Sequence, residues 1–224
     1  MKLKYLPWIL FAVFAIAVGL YPLTYYLVDM HGKGLWASKT KELIENTVWH
    51  TAFFMHITFG GIAMLTGWTQ FSKRLRDNYL SAHRFTGKIY VASVIISSMA
   101  GFYIAMFASG GITCILGFGG LASCWFFTVM MAYTSILKKQ FKQHENWMIR
   151  NYALTFAAVT LRLNLPFSQA ILHMDFITAY RIISWLCWVP NLVVAQIIIN
   201  KRALIPAYVV KKPQASPQLQ DQNL

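Results

Sequence analysis

Acidic side chains are scarce in this chain. Asp29, Glu42, Glu45, Asp77, Glu145, Asp175 and Asp221 are the only ones, and none falls inside a long apolar run. A carboxylate-based proton relay within a membrane is thereby excluded, and only His56 and His50 are available at depth. Cysteine is equally sparse. Cys114, Cys124 and Cys187 all sit in apolar stretches and no CxxC occurs, which argues against a disulfide framework or a zinc knuckle. The chain has no P-loop, no GxGxxG dinucleotide fingerprint, no HExxH zinc motif and no GxSxG elbow. Charged residues of both signs make up only 12% of the sequence, against about 25% in a typical soluble domain. A soluble globular protein is excluded.

What the sequence does have is apolar runs separated by short basic blocks. The formal net charge of +13 is confined to those blocks, so no soluble basic domain is left to bind nucleic acid. Basic residues so placed act as topology signals and as contacts for anionic lipid head groups. Runs of about 20 apolar residues cross about 30 Å of hydrocarbon as helices. Six such spans are expected, at about residues 5–27, 48–71, 87–108, 112–137, 147–172 and 176–200. Ala15-Ile16-Ala17 resembles a signal-cleavage site, but the apolar run continues about ten residues past it, which favours a retained first helix. Pro22 should kink that helix. Residues 203–224 are polar and rich in Pro and Gln, the composition of a disordered tail.

Lysine and arginine set the orientation. They gather at the N-terminus, in the 73–88 and 138–150 loops and at Lys201-Arg202, whereas the 28–47 segment is neutral overall and Ser109-Gly110-Gly111 is uncharged. The positive-inside rule then gives an all-α, integral membrane bundle of six transmembrane helices, with N- and C-termini cytoplasmic, in the cell inner membrane.

Two spans carry polar seams. In the fifth, His144, Met148, Asn151, Thr155, Ala158, Arg162 and Gln169 lie within about 40° of one line along the helix. In the second, His56, Gly60, Ala63, Gly67 and Gln70 repeat at helical spacing, with glycines that allow close approach of a neighbour. Asn, Thr and Gln in such seams are ordinary interhelical hydrogen-bonding groups. Arg162 is different, because it is too deep to snorkel easily and no span contains an acid to pair with it. Its expected partner is a bound anion, a free backbone carbonyl or a loop acid folded inward. Pro166 leaves the Arg162 carbonyl without its usual helical donor. Arg181 is close enough to its helix end to reach the interface.

His50 and His56 are about 120° apart on one helix and cannot clamp one ion from a single face. His83 and His144 each open the second helix of a cytoplasmic hairpin, so they should lie at one depth. Facing imidazoles there are what a haem b or a small metal site needs. Helix capping and contact with lipid phosphate beside Arg84 and Arg150 are the alternative roles.

His56-x3-Gly60, Gly67-x2-Gln70, His83-Arg84-x2-Gly87-x2-Tyr90 and His144-x2-Trp147-Met148-x-Arg150-x-Tyr152, with the later Arg162, resemble the bacterial predicted membrane proteins catalogued as domain of unknown function 2306. The resemblance covers about residues 50–165, implies an integral membrane protein of prokaryotic type, and supplies no activity. A looser likeness is to the six-helix cytochromes b that take electrons from ascorbate and hold two haems on four consecutive helices. The fourth span here has no histidine, which leaves at most one haem of that kind.

The functional expectation is a membrane redox protein that binds one haem b or a quinone-like ligand. His83 and His144 would be the haem or metal ligands, with His56 and Arg162 forming a second polar contact nearer the outside. The alternative is a non-enzymatic carrier or sensor for an anionic small molecule or lipid, held by Arg162 with Gln70, Asn151 and Trp147. A purely structural membrane subunit is the third reading.

Overall fold

A computed structural model describes residues 6–28 and 34–204. The expected basic start at Met1-Lys2-Leu3-Lys4, Asp29 to Lys33, and the expected tail from residue 205 onward lie outside the described residues. The helices are α1 (Leu6–Leu20), α2 (Thr24–Leu27), α3 (Lys41–Glu45), α4 (Thr47–Gly67), α5 (Lys73–Asn78), α6 (Leu80–Ala105), α7 (Ile112–Leu137), α8 (Phe141–Thr155), α9 (Ala157–Ala170), α10 (Phe176–Leu186) and α11 (Val189–Leu204).

Short polar side chains start several of them. Thr40, Asn46, Ser72 and Asp175 each accept a hydrogen bond from the backbone N–H three residues on, at 3.3, 3.0, 3.4 and 2.8 Å. Such a cap satisfies one of the amides that a helix start leaves unpaired. Hydrogen bonds from the Thr178 side chain and then its backbone amide hold the exposed Asp175 carboxyl below its usual range. Between α6 and α7, Gly110 and Gly111 take positive φ values of 100° and 75°, where a side chain would be strained.

The bundle centres on α4, α6, α7 and α8. α1 packs on α4 and α9, α10 on α7 and α9, and α11 on α8. Met64, Tyr90, Val94, Val129 and Tyr152 form the core, whereas large apolar side chains such as Leu116, Phe127, Val193 and Ile197 face outward. In water that surface would be a liability; in a bilayer it is the lipid face.

Five stretches, Leu6–Leu27, Thr47–Phe71, Leu80–Ala105, Ile112–Leu137 and Phe176–Ala203, are long and apolar enough to cross a membrane. The expected span 147–172 is instead the pair α8–α9, which starts at Phe141 and is interrupted at Phe156. Its sixfold count therefore rests on the loop charges. Reporter fusions after Lys73 and after Lys139 are expected to read cytoplasm, and one after Ser38 the outside; a cytoplasmic Ser38 fusion overturns six spans.

Other boundaries also shift. The third span begins at Leu80 and not at about 87, because a helix continues past the apolar zone into the polar His83-Arg84 turn. Pro22 does interrupt the first span, as a 3₁₀ turn at Tyr21–Leu23. The last span divides at Cys187-Trp188 into α10 and α11.

Candidate functional site

At the end of the bundle that carries the basic loops, His83 is the fourth residue of α6 and His144 the fourth of α8. The two imidazoles are electrostatic neighbours, and Arg76 and Arg84 share their surroundings. His144 Nδ1 lies 2.9 Å from the Ala132 carbonyl oxygen. A carbonyl only accepts, so Nδ1 carries a proton and Nε2 is the nitrogen left to bind a ligand. His83 Nδ1 is buried without a hydrogen-bond partner. Close by, Glu145 ties this end together, accepting from Arg202 at 2.7 Å and standing 3.9 Å from Arg76.

One layer deeper, the polar seam of α8 closes on itself. Asn151 is fully buried. Its Nδ2 donates to the Trp125 carbonyl and to Thr128 Oγ1, both at 2.8 Å. Its Oδ1 accepts from the Tyr90 hydroxyl at 2.5 Å. Trp125 Nε1 donates to Thr155 Oγ1 at 2.9 Å, which also lies 2.9 Å from the Tyr90 hydroxyl. Both amide hydrogens and the carbonyl oxygen of Asn151 are engaged, so it has no donor left for a ligand.

Above this network the seam opens into a cavity of about 230 Å³, walled chiefly by apolar and aromatic side chains. Thr155, Ala158 and Arg162 line it from α8–α9, His56 and Gly60 from α4, Tyr25 from α2, and Lys39 from the segment before α3. His56 Nδ1 lies 2.9 Å from the Ser97 carbonyl oxygen, and the Ser97 hydroxyl donates to the His56 carbonyl at 2.8 Å. Gly101 makes room for that ring, since a Cβ there would stand 2.7 Å from His56 Nδ1. His56 Nε2 is therefore the acceptor nitrogen.

Arg162 donates to the Ala158 carbonyl at 3.0 Å, and its guanidinium lies 4.5 Å from the centre of the Tyr21 ring. Among the described residues no carboxylate is in ion-pair contact with it. Lys39 Nζ donates to the Phe107 carbonyl just past the end of α6. Burial pushes its ammonium pKa down.

The structure thus brings His83 to His144, and His56 to Arg162, as two separate places. The other expected site residues lie elsewhere. Gln70 is buried and donates to Thr86 Oγ1 at 2.6 Å. Trp147 stands edge-on to Phe127, with ring centroids 5.8 Å apart, and carries the Arg150 guanidinium 4.7 Å from its ring. Arg181 donates to the Gly110 carbonyl at 2.8 Å, in keeping with an interfacial position. Sequence reasoning missed Lys39 and Tyr25, which sit in or next to a mixed-charge loop with no periodic signal. Tyr90 was visible only as the end of a motif.

The description "Predicted membrane protein (DUF2306)" matches residues 53–199. The chain belongs to that family. The match takes in α6–α10 whole and most of α4 and α11, and so both histidine sites and Arg162. No curated protein and no solved structure matches the chain.

Proposed function

We propose that this DUF2306 protein is a non-enzymatic carrier or sensor of the cell inner membrane that binds a small amphiphile with an anionic head. One observation carries this reading: Arg162 lines an apolar cavity and, among the described residues, contacts no carboxylate but a carbonyl of its own helix and a tyrosine ring. An unpaired guanidinium in a low-dielectric site is costly, and an incoming anion lowers that cost. Its fork of donors suits a carboxylate or phosphate. His56 Nε2 offers an acceptor for a ligand hydroxyl at the same cavity. Pockets for drug-sized molecules run to about 300–1,000 Å³, so at about 230 Å³ this one suits a single chain or a single ring.

The test is thermal unfolding of the purified protein with decanoate, decyl phosphate, a short-chain quinone and decanol. The two anions are expected to raise the unfolding temperature and decanol to leave it unchanged. Stabilisation by none of them overturns the reading, and stabilisation by the quinone alone transfers the cavity to a redox ligand.

A redox role at the other end is the second reading, favoured by the way His144 is held. Its Nδ1–H is fixed on the Ala132 carbonyl, the kind of second contact that orients metal-ligating imidazoles. Haem b fits better than a bare metal ion. Among the described residues no group of three or more His, Cys, Asp or Glu could hold a metal ion, whereas haem would need only one or two imidazoles, here His83 and His144. Arg76 and Arg84 beside the pair would repel a divalent cation and attract haem propionates. Bound haem would supply one-electron transfer. The expected result is a visible haem spectrum that His83→Ala or His144→Ala abolishes or shifts and His31→Ala does not. Folded, colourless wild-type protein from haem-replete cells sinks this reading.

A further inference from the structure

The cavity has a second cation, far from the first. Ser97, whose carbonyl oxygen lies at the His56 ring, and Phe107, whose carbonyl oxygen holds Lys39, are ten residues apart in sequence. At 1.5 Å per residue that separates Lys39 from the His56 level by roughly 12–15 Å. Arg162 is an electrostatic neighbour of His56, so it belongs to the His56 level. A carboxylate or phosphate is only a few ångströms across, so it does not bridge levels about 12–15 Å apart.

Lys39 sits where the cavity meets the loops. It belongs to the strap of Gly34–Ser38 and α3, which is fastened to the α6–α7 turn through Ser109, whose Oγ donates to the Ser38 carbonyl at 3.0 Å. The carbonyl that Lys39 holds lies just past the end of α6, where carbonyls have lost their helical donors. The acceptor there is a neutral carbonyl, so an anionic oxygen is a stronger partner for the ammonium and can replace it. Below Lys39 the walls are apolar and aromatic, including Trp49, Phe53 and Ile104. Nothing anionic is in contact with either cation among the described residues.

We infer that Lys39 is the entry station of this cavity: it leaves the Phe107 carbonyl, takes the anionic head of a single-chain amphiphile at the mouth, and passes it to Arg162. The inference rests on the binding function proposed above and adds the route and the residue that sets the rate. A charge at a cavity mouth acts chiefly on association, whereas a deep, desolvated partner acts on dissociation.

Stopped-flow quenching of tryptophan fluorescence by 12-bromododecanoate, on the full chain in nanodiscs, separates the two roles, because Trp36, Trp49 and Trp125 line the cavity. Lys39→Met is expected to slow association about tenfold and to flatten its salt dependence, with the dissociation rate little changed. Lys39→Arg should restore the wild-type rate, and the unchanged dissociation rate of Lys39→Met shows that its cavity is intact. Lys142→Met, at the opposite end of the bundle, should do nothing. An unchanged association rate in Lys39→Met with normal wild-type binding overturns the entry station and leaves the Arg162 reading standing. No quenching in the wild type overturns both. A brominated phosphatidylglycerol arm separates the sources. Quenching by the single-chain acid identifies a free amphiphile, whereas quenching by the phospholipid alone identifies a lipid head group and overturns the single-chain class.

Discussion

Arg162→Leu is expected to make the protein more stable without ligand and indifferent to anions. On membrane-insertion scales an arginine at helix mid-depth costs about 2.5–3.5 kcal/mol. The bond to the Ala158 carbonyl and the Tyr21 contact recover part of that, so the gain on substitution should be about 1–2 kcal/mol. The loss is larger. A ligand at about 100 times its Kd stabilises by about 2.7 kcal/mol, and this should vanish entirely. Arg162→Lys keeps the charge but not the fork, so anion-induced stabilisation should shrink without disappearing. Thermal unfolding in detergent with and without decanoate reads all three proteins. An Arg162→Leu variant that is less stable under every condition, with no anion dependence lost, would make Arg162 a structural residue bound to Ala158 and Tyr21.

Gly67→Ala should be among the most damaging single changes in the bundle. A Cβ at Gly67 would stand 2.3 Å from Tyr152 Cε2 and 2.6 Å from Tyr90 Cε2. Neither ring is free to withdraw. The Tyr90 hydroxyl is committed to Asn151 and Thr155, and the Tyr152 hydroxyl donates to the Met64 carbonyl at 3.2 Å. One methyl therefore forces α4 away from α6 and α8, at a cost of about 2–3 kcal/mol. Gly60→Ala is the control on the same helix face. Its nearest neighbour is the Ser97 hydroxyl at 3.2 Å, so a few tenths of an ångström suffice and unfolding should shift little. Equal unfolding temperatures for the two variants would contradict the packing described.

That contrast separates what was readable in the chain from what was not. Membrane spans were readable because hydropathy is summed over about 20 consecutive residues and needs no knowledge of neighbours. The matching positions of His83 and His144 were readable too, since both stand at local helix starts. The seam through Asn151, Thr155 and Arg162 followed from helical period alone. Its division into a saturated half and a cavity half did not. Asn151 is closed off because Tyr90, Trp125 and Thr128 arrive from α6 and α7, whereas Arg162, about three turns further on, meets the Ala158 carbonyl and the Tyr21 ring. The helix break illustrates the same limit. Pro166 was the visible breaker, yet α9 runs through it, and the interruption falls at Phe156, whose ring stacks on Phe11 of α1 at 5.3 Å. Periodicity tells which residues share a face. What that face meets depends on contacts between residues far apart in the chain, and only packing brings Lys39, His56 and Arg162 around one cavity.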